Sequence, residues 1–280
     1  VPIPEMRQPQ SLRDCGSNSP LPPLECPEHM PKSMAKNMAK NAWTYPRIIV
    51  HRCGGALAPE NTLSGLRMAA RLGFHAVEFD VMLSSDGVPM LIHDETVERT
   101  CNAEGAVADI PSAILRTLDA GHKYHRAFTG ELLPTFEEAL AVCQALGLAA
   151  NVEIKPAFGH EEATGRIAAQ VAAKFTAANQ IEILLSSFSS AALSAAHHAA
   201  PELPRAMLVE DIPDDWQLRL HDLSCRAMHC AAQHLKAEQL AAIRAEGIPL
   251  ACYTVNFPER AAALFAGGVT AIFSDRLDVF

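Results

Sequence analysis

From Arg47 to the end of the chain, two periodicities alternate. Short apolar runs with the composition of strands are separated by Ala/Leu-rich stretches whose apolar residues recur every three to four positions, the spacing of an amphipathic helix. The pattern predicts strands at Arg47–His51, Ala76–Leu83, Ala149–Ile154, Glu182–Ser186, Arg205–Val209, Ala227–Cys230, Leu250–Val255 and Ala271–Phe273. Helices are predicted near Thr62–Leu72, Thr135–Leu146, Glu161–Ala177, Ser189–Ala199, Asp214–Leu220, Lys236–Ala245 and Pro258–Ala266. Strands joined by helical crossovers pair in parallel. Eight of them match a closed (β/α)8 TIM barrel of the α/β class. An open doubly wound sheet is the alternative, but no G-x-G-x-x-G follows the first strand, as a dinucleotide fold would require.

Two segments break the rhythm. Residues 1–45 carry Pro2, Pro4, Pro9, Pro20, Pro22, Pro23, Pro27 and Pro31 and no periodic apolar pattern. Such a segment buries too little to offset the entropy of ordering it, so it is expected to be a disordered tail ahead of a barrel spanning residues 46–280. It lacks the apolar run of a secretory signal. Met34-Ala-Lys-Asn is repeated at once from Met38, and translation is expected to begin at one of these methionines, leaving the earlier residues as a gene-start artefact. Residues 84–134 hold no long helix. Asp86-Gly87 signals a two-residue hairpin, and residues 95–134 read as a small insertion after the second strand.

Composition changes the picture only by exclusion. The 280 residues are 49% hydrophobic and 20% charged, as in an ordinary globular protein. No run of some twenty apolar residues marks a membrane span. A net charge of −9 argues against nucleic acid as a partner, while leaving room for a small anion in a local basic pocket. The eight cysteines form neither a C-x-x-C pair nor a regular framework, which points to reduced thiols in a cytoplasmic protein.

The strand ends are more informative. The first strand ends His51-Arg52, the second contains Glu78-Phe79-Asp80, and the third ends Glu153-Ile154-Lys155. Catalytic groups in barrels sit at the carboxyl ends of strands, and residues i and i+2 share a face. Glu78 and Asp80 therefore point together, as do Glu153 and Lys155. Three carboxylates on neighbouring strands repel unless neutralised, and hard oxygen donors suit Mg2+, Ca2+ or Mn2+. Salt bridges to Arg52 and Lys155 are the structural alternative. If the hairpin loop is Asp86-Gly87, Ser85 faces Val88 and the register sets His93 opposite Asp80. A one-residue slip would turn His93 away. With His51, this places two imidazoles near a cation and two basic side chains, a set able to bind a phosphodiester and move its protons.

In order along the chain, His51-Arg52, Pro59-Glu-Asn-Thr62, Glu78-x-Asp80-Val81, Asp86-Gly87, His93-Asp94, Glu153-x-Lys155, Tyr253-Thr-Val-Asn256 and Ser274-Asp275-Arg276 resemble the glycerophosphodiester phosphodiesterase family. The resemblance runs from about Arg47 to the C-terminus. It implies hydrolysis of a small glycerophosphodiester to sn-glycerol 3-phosphate and an alcohol. It further implies a divalent metal, Mg2+ or Ca2+, on Glu78, Asp80 and Glu153, an acid/base pair of His51 and His93, and phosphate held by Arg52 and Lys155. Glu60 is expected to support Arg52 or the metal, with Asn61 and Thr62 either at the edge of the site or capping a helix. Tyr253 stands where the family carries an aromatic wall, most often Trp. The first motif departs from the family's His-Arg-Gly: Cys53 replaces the glycine, either straining the turn, offering a thiolate to the metal, or being absorbed by Gly54 and Gly55. A cyclising phospholipase of the same superfamily and a catalytically silent binding barrel are the competing expectations. Oligomeric state and head-group preference are left open.

Overall fold

The computed structural model describes residues 44–179 and 181–280. The expected tail, with its start at Met34 or Met38, lies outside the described residues up to residue 43. All eight predicted strands and all seven predicted helices are present, each within two residues of its expected ends. The strands are β1 (Ile48–Val50), β2 (Ala76–Leu83), β4 (Ala149–Ile154), β5 (Ile183–Ser187), β6 (Arg205–Val209), β7 (Ala227–Ala231), β8 (Leu250–Tyr253) and β9 (Ala271–Ser274), joined by a short extra strand β3 (Pro89–Leu91). The long helices are α1 (Leu63–Arg71), α2 (Phe136–Leu146), α3 (Glu161–Asn179), α4 (Ser190–Ala199), α5 (Trp216–Asp222), α6 (Ala237–Ala245) and α7 (Pro258–Gly267). The parallel order β1-β9-β8-β7-β6-β5-β4-β2 closes through pairing of Val50 with Val77, giving a (β/α)8 barrel.

Outward-facing Val77, Phe79 and Val81 on β2 pack under α1 and α2 with Leu66, Phe136 and Leu140. The Phe79 and Phe136 rings meet edge-on at 6.0 Å, a contact that adds about 0.5–1.5 kcal/mol beyond simple burial. That packing pins β2 from behind and leaves Glu78 and Asp80 facing the lumen. Inside the barrel, small residues dominate: Ala76, Ala251 and Ala271 lie beside Ile49 and Phe273, while Tyr45, Leu184, Ala206 and Ala227 fill the floor. His229 is fully buried against the Phe273 ring at 5.0 Å, and burial pushes its imidazole down to about 3. It is a neutral packing residue rather than part of the mouth.

The hairpin differs from its expected register by one residue. Val81 faces Leu91 and Leu83 faces Pro89, so Ser84 rather than Ser85 pairs with Val88 and the loop is Ser85–Gly87. The cause lies in side chains. Ser84 Oγ donates to Asp86 at 2.6 Å and accepts from the Val88 N–H at 2.9 Å, while Asp86 also accepts from Ser112 N and Oγ, both at 2.8 Å. Gly87 takes φ +76°, which a three-residue loop needs at its last position. The register places Ile92, not His93, beside Asp80, with the Ile92 N–H donating to the Asp80 carbonyl. His93 still reaches the lumen because β3 ends at Leu91 and the chain then leaves the pleat, so strict alternation no longer governs it.

The inserted segment carries one α-helical turn, Ser112–Leu115, and two 3-10 turns, Val107–Asp109 and Arg126–Phe128, around its own core of Val97, Cys101, Val107 and Leu115. It is tied to the first turn of α1, where Glu131 accepts from Ser64 N at 2.8 Å, and to the first βα loop, where Tyr124 OH donates to the Ala56 carbonyl at 2.7 Å.

Candidate active site

A cavity of about 270 Å³ opens at the carboxyl ends of the barrel strands. Eight of the nine residues singled out from sequence line it: His51, Arg52, Glu78, Asp80, His93, Glu153, Lys155 and Tyr253. Glu60 stands outside it, behind Arg52.

Glu78 and Asp80 are each at most 4% exposed, and Asp80 lies in register with Glu153 on β4. One oxygen from each of the three carboxylates falls within 4.8 Å of the others. Two full charges at that distance repel by roughly 3–4 kcal/mol at an effective dielectric of about 20. Burial and the neighbouring Asp80 accordingly push Glu78 up to about 8, and the same two causes push Glu153 up to about 7. Either protons or a cation must occupy such a cluster at neutral pH. An all-oxygen donor set fits a hard divalent ion, so the cluster is a possible metal site. Asn61 orients Asp80 from both sides, donating through Nδ2 to Asp80 Oδ2 at 2.9 Å and accepting from the Asp80 N–H at 3.1 Å. Thr62 caps α1 instead, accepting from Gly65 N–H at 3.2 Å.

Both histidines are held by carboxylates through Nδ1. His51 Nδ1 lies 2.7 Å from Asp275 Oδ1, and His93 Nδ1 lies 2.6 Å from Asp94 Oδ1. An ionised carboxylate only accepts, so each Nδ1 carries the proton and each Nε2 faces the cavity. Burial works to lower His51, but Asp275 and Glu78 outweigh it and the imidazole is raised. Burial lowers His93, with Arg52 and Lys155 acting in the same sense against Asp80 and Asp94. Lys155 Nζ donates to His93 Nε2 at 2.7 Å and reaches Glu153 at 3.4 Å.

Arg52 continues outward from β1. Its N–H donates to Glu78 Oε2 at 2.8 Å, and its guanidinium reaches both Glu60 oxygens at 3.1 and 3.3 Å. Across the mouth, Tyr253 OH donates to the Val209 carbonyl at 2.8 Å and its ring meets Phe188 edge-on at 6.1 Å. The acidic run after β6 lies outside the cavity, with Asp211 paired to His234 at 3.2 Å.

Four residues with a place here were not singled out for one from sequence: Asp275 and Asp94 behind the histidines, Asn256 behind Asp275 at 3.0 Å, and Arg99 behind Glu60 and Asp94. Asp94, Asn256 and Asp275 fall within the quoted motifs; Asp94 pairs with its neighbour His93, whereas Asp275 meets His51 and Asn256 only through the fold. Arg99 lies in an aperiodic segment with no local signal.

Cys53 itself takes the left-handed conformation, at φ +72°, beside Arg52 at +50°, while Gly54 stays at −130°. Gly55 is left-handed as well, at φ +54°, so of the two glycines only Gly54 stays out of the turn, and Cys53 bears its own left-handed angle. The thiol is fully buried, burial together with Cys143, Glu78 and Asp80 raises it well above its ordinary value, and it does not join the cluster of Glu78, Asp80 and Glu153. Cys53→Gly is expected to change the unfolding free energy by no more than about 1 kcal/mol. The relief of left-handed strain, about 1–2 kcal/mol, opposes the loss of thiol packing and the extra freedom of glycine in the unfolded chain. Urea unfolding checks this, and a loss above about 2 kcal/mol would mean that packing dominates.

The sequence pattern of the "Glycerophosphoryl diester phosphodiesterase family" matches residues 51–279. A glycerophosphodiester phosphodiesterase of Caldanaerobacter subterraneus subsp. tengcongensis is 30% identical over 233 residues, covering 81% of this chain and 93% of that protein. Among solved structures, an Oleispira antarctica phosphodiesterase in complex with the product sn-glycerol-3-phosphate superposes with a TM-score of 0.78 at 35% identity, over 82% of this chain and 93% of that one. A glycerophosphodiester phosphodiesterase from Agrobacterium tumefaciens str. C58 gives 0.69 at 26% identity, over 84% and 98%.

Proposed function

The chain belongs to the glycerophosphoryl diester phosphodiesterase family, and on that footing we propose how its own residues carry out the hydrolysis. The protein is an enzyme that hydrolyses glycerophosphodiesters to sn-glycerol 3-phosphate and an alcohol. The observation that carries the assignment of roles is the convergence, around one cavity, of three buried carboxylates and two histidines whose Nδ1 atoms are tied back.

Glu78, Asp80 and Glu153 would hold a divalent cation, Mg2+ or Ca2+. When bound, that ion supplies charge stabilisation to the phosphoryl oxygens. Arg52 and Lys155 hold the anionic phosphate from either side. His51 and His93 are the acid/base pair. One ring, neutral, takes the proton of the attacking oxygen at Nε2, and the other, as the doubly protonated imidazolium, gives its Nε2 proton to the departing alcohol. Asp275 and Asp94 keep each ring in the tautomer and orientation this requires. The Tyr253 and Phe188 rings meet edge-on and form an aromatic wall of the cavity. We further propose that residues 46–280 form one catalytic unit with 95–134 as an insertion. No described helix is long and apolar enough to cross a membrane, and the six free thiols among the described residues are in keeping with a cytoplasmic setting.

The test is release of sn-glycerol 3-phosphate from glycerophosphocholine, before and after EDTA, with Mg2+, Ca2+ or Mn2+ added back. Turnover lost with EDTA and regained with one ion is the expected result. Turnover indifferent to chelation would overturn the carboxylate assignment. No turnover from folded, metal-supplied protein would favour the lipid-cyclising or silent-barrel readings.

A further inference from the structure

One guanidinium outside the cavity touches the supports of both reactive arms. Arg99, on the inserted segment, donates through Nη1 and Nη2 to the two Glu60 oxygens at 2.6 and 2.7 Å. Its Nε and Nη2 donate to the two Asp94 oxygens at 2.5 and 3.1 Å. Glu60 in turn receives Arg52, and Asp94 receives His93. We propose that Arg99 is a positioning residue that keeps Arg52 and His93 set against each other by gripping Glu60 and Asp94 together. The proposal rests on the reading of Arg52 and His93 given above.

Charge counting explains why a guanidinium is needed. Glu60 lies between two arginines, and burial, which would raise it, is outweighed by Arg99 and Arg52, so it stays ionised below its usual value. With Arg99 absorbing much of that negative charge, Arg52 keeps positive charge for an incoming phosphate. Without Arg99, Glu60 would have Arg52 as its remaining cation among these contacts and would compete with the substrate for it. Only the planar fork of arginine can serve two carboxylates in two bidentate pairs at once.

The alternative, that Arg99 merely anchors the insertion, is disfavoured by what else anchors it. The inserted segment has its own apolar core and separate ties through Glu131 to Ser64 and through Tyr124 to Ala56. Arg99 is 47% exposed, and a half-exposed ion pair adds little to stability.

The experiment compares steady-state kinetics and melting for wild type, Arg99→Ala, Arg99→Lys, Glu60→Gln, and Arg99→Ala combined with Glu60→Gln. Arg99→Ala is expected to raise KM about 10-fold and to lower kcat/KM by about 10–100-fold in total, the scale of an ångström's misplacement. Its Tm should stay within about 2 °C of wild type. Lysine should recover part of the KM loss, having the charge without the fork. In the Glu60→Gln background, the same Arg99→Ala change should move KM by less than about 2-fold, because the competing carboxylate is gone. An equal KM effect in both backgrounds overturns the proposal, as does a Tm loss that accounts for the activity with KM unchanged. If wild type turns nothing over, the functional reading fails first. The comparison then runs on the Kd of sn-glycerol 3-phosphate, where an effect of Arg99→Ala confined to the background retaining Glu60 still supports the proposal and its absence sinks it.

Discussion

Glu78→Gln is expected to abolish turnover while leaving the metal-free protein more stable than wild type. The loss follows from removing one of three oxygen donors and with it several kcal/mol of charge stabilisation, a fall in kcat of about 1,000-fold or more. The gain follows from the geometry of the cluster. Glu78 is held up at about 8 by burial and Asp80, against an ordinary value of 4.5. A carboxyl whose folded pKa is raised takes up a proton on folding. Its contribution is therefore unfavourable above the unfolded pKa and grows as pH rises toward 8. In EDTA, wild type should thus lose stability between about pH 4.5 and 8, amounting to roughly 3 kcal/mol at pH 7, and the amide should flatten that slope. The Arg52 N–H keeps an acceptor, since the amide oxygen of glutamine can take the place of Glu78 Oε2. Melting curves in EDTA and in Mg2+ check both halves: the ion should raise the Tm of wild type and not that of the variant. A variant retaining more than about a tenth of the activity would remove Glu78 from the ligand set.

His51→Ala and His93→Ala are each expected to lower kcat by about 100- to 10,000-fold, with modest change in KM. The double substitution should cost little more than the worse single one, because the two imidazoles serve one proton relay. Asp275→Asn should cost less than His51→Ala, and should cost almost nothing once His51 is already alanine, since Asp275 touches the ring and not the cavity centre. Independent, additive losses from Asp275 and His51 would show that Asp275 acts by some other route.

Much of this arrangement could be read along the chain, and the misses have physical causes. The ends of β2, β4 and β6 coincide with the sequence pattern because buried strands begin and end where apolar side chains do. Glu78, Asp80 and Glu153 stood out because a lumen-facing acid breaks that pattern. The hairpin register did not follow from Asp86-Gly87 because the hydroxyl of Ser84 and the distant Ser112 decide the loop length. Asp275 is 224 residues from His51, and Arg99 is 39 from Glu60, so no local period connects them. Cys53 was visible as a departure, but that it, rather than Gly54, bears the left-handed turn depends on backbone geometry.

The reacting groups proposed here, from His51 to Lys155, all lie on β1 to β4 and their loops. The later strands contribute Asp275, Asn256 and the aromatic side of the mouth. The barrel thus divides its labour by chain position, and natural variation faces unequal constraints in the two halves. Loops after β5 to β7 can drift, lengthen or be exchanged with little risk to proton transfer. A lineage carrying this scaffold could change which alcohol it releases without rebuilding the part that breaks the bond.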